Sequence, residues 1–368
     1  MRAKREVNNK MIELNKGRKW IRIWLITGLV MLFVQVIVGG ITRLTGSGLS
    51  ITKWEIVTGT LPPMNEIAWK EAYELYQATP QYEKINQGLS MGQFQFIYFW
   101  EYIHRLWARV MGFVFIIPFV YFYFKGYLQG ELLRRMIVVF FLAALAAAFG
   151  WIMVASGLVN RPWVNAYKLS IHLGIALAVI GYLYLTYIKT SHFTIQKFEL
   201  PFSAKWLKVL FALILIQIFL GGIMSGMKAA LVYPSWPDMN SEIVPAILFN
   251  PSMWTLHSFI NYDGTSFMSA LIQLLHRSTA YIIILLFVYL LSKIIKRRHL
   301  IDSLFYRSFI WMSLIIGTQV LLGILTLVFS VGQIPVLWGV LHQGVAIFVL
   351  LSILYVRFIY KYSLVKDV

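Results

Sequence analysis

Apolar residues fall along this chain in eight long runs, at about 20–41, 95–124, 136–158, 166–188, 206–227, 268–295, 305–331 and 335–360, separated by polar and basic segments. A run of roughly 20 apolar residues is long enough for a helix to cross the hydrocarbon core of a bilayer. A backbone crossing that core finds no water to satisfy its polar groups and must close its hydrogen bonds internally, so each run predicts a helix. The first run is too long for the apolar stretch of a cleaved signal sequence and reads as a true span. Two connecting segments are long, 42–94 and 228–267, and the first contains "WKEAYELYQ", the pattern of a short amphipathic helix over the membrane face.

Composition agrees with this pattern. Of 368 residues, 59% are hydrophobic and only 13% are charged, which places the chain among integral membrane proteins. The net charge of +18 does not point to nucleic acid, because the basic residues sit between the apolar runs rather than on one face or tail. They gather in 1–19, 125–135, 189–205, 296–304 and the tail, whereas the short link 159–165 holds only Arg161. By the positive-inside rule both termini are cytoplasmic and the lipid bilayer is the surrounding solvent. The N-terminal arm is basic, with two glutamates and no serine-rich stretch, which reads as a bacterial inner-membrane (cytoplasmic-membrane) protein rather than a transit peptide. There is no cysteine, so disulfides, thiolate metal sites, thioether-linked haem and cysteine redox relays are excluded.

A repeat organises the spans. "VQVIVGGITR" from Val34 resembles "IQIFLGGIMS" from Ile216, "YIHRLWARVMGFVFI" around His104 resembles "LLHRSTAYIIILLF" around His276, and "LSIHLGIALAVI" around His172 resembles "GVLHQGVAIFVL" around His342. An even number of spans separates the copies, so they share one orientation. The predicted architecture is therefore all-α: eight transmembrane helices as two tandem four-helix bundles, 1–195 and 196–368, in a parallel pseudo-two-fold repeat.

Four of the seven histidines, His104, His172, His276 and His342, lie in even-numbered spans. Each lies some six to ten residues from the outer end, which puts all four at one level, roughly 10–15 Å deep. The repeat pairs His104 with His172 and His276 with His342. Two imidazoles fall short of a zinc site, which wants three or four protein ligands, but they complete the axial set of a haem. Gly39, Gly40, Gly221 and Gly222 would allow close approach. Haem propionates need cations, and Arg105 and Arg277, each directly after a histidine, are candidates together with Arg43 and Lys53. His192 and His299 fall in basic cytoplasmic segments and His257 in an outer loop. The repeat breaks at Glu101, three residues before His104 and on its face of the helix, whose counterpart is Gln273. A carboxylate in one half only suggests that this half does chemistry while the other carries electrons.

With these residues in hand, "GGITRLTGSGLSITKWEIVTGTLPP" after the first span, "EYIHRLWARVMG" in the second and the four histidines together resemble the haem A synthase family over nearly the whole chain. That resemblance implies an oxidoreductase that converts the C8 methyl of haem O, its substrate, to the formyl group of haem A for assembly of terminal cytochrome oxidase. It implies haem b as cofactor in the second half, ligated by His276 and His342, and the substrate haem between His104 and His172 with Glu101 catalytic. Some members carry a cysteine pair in the first outer loop; this chain resembles the cysteine-free branch that includes the mitochondrial type. Contact with a haem O synthase is an expectation, and the electron acceptor and homo-oligomerisation stay open. The competing readings are a bis-histidine cytochrome b fed by quinol and a secondary transporter. Neither accounts for Glu101 beside a histidine in one half, and a transporter would carry several intramembrane acidic residues.

Overall fold

The computed structural model describes residues 2–52, 61–157, 162–191 and 195–365, with side chains described from Gly17 to Leu364 within those ranges. Eight of its helices are long and apolar enough to cross a membrane, one for each predicted run. They are α1 (Arg2–Leu44), α4 (Met91–Phe124), α5 (Gly130–Gly157), α6 (Ala166–Lys189), α7 (Lys205–Gly226), α9 (Phe267–Lys296), α10 (Ser303–Val328) and α11 (Val336–Val365). The first long loop contributes α2 (Glu66–Gln77) and α3 (Pro80–Lys84), and the second contributes α8 (Leu256–Ile260). The described residues contain no strand beyond one isolated bridge, Met239 to Glu242. The chain is thus an all-α, multi-pass membrane protein.

Several helices run past the apolar runs that announced them, because polar caps rather than hydropathy set their ends. Ser90 and Gln93 form a capping box that starts α4 at Met91, and Asp302 accepts from the backbone N–H groups of Leu304 and Phe305 to start α10. The backbone of α1 continues through the basic arm back to Arg2.

Sequential helices pack as antiparallel hairpins: α1 on α4, α5 on α6, α7 on α9 and α10 on α11. The pairs α1–α6 and α7–α11 close each set of four, and α6–α7 and α1–α11 join the sets. One buried core gathers Leu25, Phe115, Phe122, Met136 and Leu183, and another gathers Leu210, Phe287, Phe305, Phe309 and Ile353. Both lie toward the helix ends away from the long loops. At the loop-bearing end, Tyr76 of α2 stacks on Phe94 of α4 at 5.2 Å between ring centroids, so the predicted amphipathic helix does form and buries its aromatic face. A further cluster around Phe267, Met239 and Tyr262 closes that end over α7 and α9. The histidines fall between the deep cores and these caps.

Candidate functional site

Each of the four histidines rests against a glycine of the preceding spanning helix. A Cβ would come 2.9 Å from His104 Cε1 at Gly39, 2.9 Å from His172 at Gly150, 3.1 Å from His276 at Gly221 and 2.9 Å from His342 at Gly323. Contacts that short leave no room for a side chain, so glycine is what seats each ring. One turn before each glycine stand Gln35, Ala146, Gln217 and Gln319. The amide nitrogens of Gln35, Gln217 and Gln319 lie 3.4, 3.0 and 3.4 Å from Nε2 of His104, His276 and His342.

An amide nitrogen only donates, so these imidazoles present a lone pair at Nε2. The two remaining contacts agree. His172 Nδ1 donates to the carbonyl of Ala146 at 2.9 Å and His342 Nδ1 to that of Gln319 at 3.1 Å. A ring N–H held by a backbone carbonyl fixes the tautomer and orientation of a metal-ligating histidine. The Nδ1 atoms of His104 and His276 are buried without a hydrogen-bond partner, as are Oε1 of Gln35, Gln217 and Gln319. Five orphaned polar atoms in one layer are costly unless something occupies it.

His104 and His172 stand within electrostatic range of one another, and so do His276 and His342. These are the two pairs that the sequence predicts. No three His, Cys, Asp or Glu side chains among the described residues are arranged to hold a bare metal ion. Paired neutral imidazoles in a layer between packed cores fit haem, whose porphyrin supplies the equatorial ligands.

Glu101 is buried, and its two oxygens have separate partners. Oε2 accepts from Ser50 N–H at 2.7 Å, Ser50 Oγ at 2.7 Å and Ile51 N–H at 2.9 Å, while Oε1 meets the Arg105 guanidinium at 2.5 Å. Arg105 also donates to Ile51 O. In the second half the same positions clasp the other loop. Gln273 donates to Tyr233 O at 2.7 Å, and Arg277 donates to the carbonyls of Tyr233, Ser235, Pro237 and Asp238. Both pairs therefore tie a histidine-bearing helix to the loop after the preceding span, but only the first does so with a negative charge.

Arg43 lies in the last turn of α1 and acts electrostatically on Lys228, just beyond α7, whose pKa is lowered by burial and by that neighbouring cation. Lys228 Nζ lies over the Trp163 ring, 5.5 Å from its centroid. This pair of cations gives the loop-bearing end an attraction for anions. His257 and His299 are exposed, away from the layer. Lys53, Arg161 and His192 lie outside the described residues.

The model of the COX15-CtaA family, described as cytochrome oxidase assembly protein, matches residues 22–354, which take in all four histidines and Glu101. The chain belongs to this family. Curated relatives cover nearly its whole length. It is 36% identical over 341 residues to a heme A synthase of Flavobacterium psychrophilum, covering 92% of this chain and 96% of that one. It is 37% identical over 343 residues to one of Brucella ovis, covering 91% and 90%, and 38% identical over 347 residues to one of Pelagibacter ubique, covering 94% and 97%. The quinol-fed cytochrome finds no support among these relatives.

Gln35 and Gln217 lie inside the repeated segments, where the sequence assigns them no role, and Gln319, Gly150 and Gly323 lie outside those segments. The available signal was a glutamine four residues before a glycine in three odd-numbered spans. Ser50 and Lys228 carried no such signal, since their importance depends on which helix their loops touch.

Proposed function

We propose that this chain oxidises the C8 methyl group of haem O to the formyl group of haem A, for use in terminal cytochrome oxidase. The observation that carries this reading is that two histidine pairs occupy one layer and only one of them has a buried carboxylate a turn away. In this reading residues 1–195 form the substrate half and 196–368 the cofactor half, related as a parallel repeat. His276 and His342 hold haem b, which supplies an electron-carrying centre between the substrate and an external acceptor. His104 and His172 flank the substrate iron. Arg43, Arg105 and Arg277 contribute the positive field that draws propionates to the loop-bearing end, with Lys228 beside Arg43. The site sits in a bacterial inner membrane with both termini cytoplasmic, within reach of the enzyme that supplies lipophilic haem O.

Oxidation of a methyl group to an aldehyde passes through an alcohol and a hydrated aldehyde: each of two oxidations replaces a C–H bond by a C–O bond to the oxygen of a water molecule, with two electrons passing to the external acceptor and two protons released, and the hydrate then loses water. Positive charge developing there is stabilised by a carboxylate already fixed in place, which needs no reorganisation as the reaction proceeds. Glu101 is held in this way: four donors from Ser50, Ile51 and Arg105 engage its two oxygens, and one of them would have to be displaced for it to take a proton from the substrate. That arrangement favours a fixed-charge role over general-base catalysis. The test is extraction of the bound pigments from purified protein, with chromatography to name each porphyrin. Haem b together with haem O or haem A is expected; haem b alone, under conditions where haem O is made, overturns the reading.

A further inference from the structure

The four histidine seats share a facing glycine, but only three of them set a side-chain amide against the ring. Gln35, Gln217 and Gln319 set a carboxamide against the ligating nitrogen of their histidines, and at the fourth seat, beside His172, the corresponding residue is Ala146. Its backbone carbonyl does what that of Gln319 does, so only the side chain has been removed. The change extends along α5. Aligned on Gly150 and Gly323, Ala143, Ala147 and Ala148 stand where α10 has Ile316, Val320 and Leu321.

Helices α4 and α5 meet at the deep end, where Phe140 packs against Phe115 and Phe119 with ring centroids 6.3 and 4.8 Å apart, as α9 and α10 meet at Phe287 and Phe309, 5.1 Å apart. In the most apolar stretch of α4 and of α5, 6% of residues are buried, against 22% in α9 and in α10, so the first pair presents more of its surface outward.

The chemistry of the substrate gives these small residues a role. A farnesylated haem carries its propionates on one edge and its isoprenoid chain toward the other. With the propionates at the loop-bearing end, the chain points deeper into the bilayer. Residue 146 lies one turn deeper than Gly150, on that side.

We propose that Ala146 determines substrate specificity: its small side chain leaves room beside His172 for the farnesyl chain of the substrate, whereas glutamine at the same place in the second half confines that site to a haem without such a chain. This rests on the assignment of the first half to the substrate. A carboxamide at residue 146 would press an unpaired polar group against an apolar chain.

The experiment is titration of the purified full-length protein with haem O and, separately, with haem b, followed by difference absorbance at the first-half site. For Ala146→Gln, binding of haem O should weaken about tenfold or more, the scale on which a buried group of this size discriminates in an apolar pocket, while haem b binding there persists. Retention of resident haem b in the second half reports that the variant is folded. In Gln319→Ala, the second half should begin to accept haem O. Unchanged haem O affinity in Ala146→Gln overturns the inference. Failure of the unaltered protein to bind haem O in its first half overturns instead the assignment on which it rests.

Discussion

Ser50 and Glu101, 51 positions apart, are joined twice: the backbone N–H and the hydroxyl of Ser50 each lie 2.7 Å from Glu101 Oε2. The first loop is thereby moored to α4 one turn from His104. The carboxylate serves as an anchor and as a fixed charge together, which a neutral side chain at the same place could do only in part. Replacement of Glu101 by Gln should leave both haem sites occupied and lower haem A formation about 100-fold or more, the scale for removing one preorganised electrostatic group. Porphyrin analysis of membranes from cells carrying the variant measures this, and a normal haem A yield would remove the catalytic assignment.

Ser50→Ala separates anchoring from charge. It deletes one donor to Glu101 and leaves two backbone N–H groups and Arg105. A single hydrogen bond is worth about 1 kcal/mol, so activity should fall less than about tenfold and the thermal midpoint should drop slightly. A loss as complete as that of Glu101→Gln would show that the hydroxyl itself takes part in the reaction.

If His276 and His342 hold haem b as proposed, Gly323→Ala should loosen it. In a helix interior, alanine is ordinarily favoured over glycine by about 1 kcal/mol. Here its methyl would stand 2.9 Å from His342 Cε1, and the ring would have to turn away from the Gln319 carbonyl. The low-spin absorbance of the second half should weaken or broaden in this variant. Gly317→Ala, on the same helix with nothing within 4 Å of the added Cβ, should keep it.

His342→Ala removes an axial imidazole outright. Haem b content of the purified protein should fall while the first half still takes up haem O, because the two pairs stand on separate helices. Loss of haem from both halves at equal protein recovery would mean that the sites are not independent.

Arg277→Gln tests the mooring of the second loop. The guanidinium is buried and donates to four carbonyls between Tyr233 and Asp238. Glutamine cannot reproduce that fan of donors, and charged hydrogen bonds are worth about 1.5–3 kcal/mol, so stability should fall by about that much. Proteolysis within 228–267 should quicken correspondingly, and no change in either measure would relegate Arg277 to another role.

Much of the site was legible in the chain. The His–Arg dipeptides at 104 and 276, the doubled glycines at 39 and 221 and the break at Glu101 are local features, and a repeat compares them against itself. The glutamines were visible too, but a glutamine inside a span gives no indication of its target until the facing helix is placed. Gly150 and Gly323 were equally silent, since a glycine in an apolar run reads as a packing residue until a ring is found against it.

The sequence by itself determined that eight helices are long and apolar enough to cross a membrane and which of them carry imidazoles. Those properties follow from hydropathy and helical rise, which act within a segment. Only the tertiary structure decided that Glu101 holds the first loop through Ser50 and Ile51, that Arg277 is engaged by carbonyls of the second, and that each histidine faces a glycine of the preceding span. These are relations between distant segments, set by how side-chain volumes on different helices fit together, and no local pattern encodes such a fit.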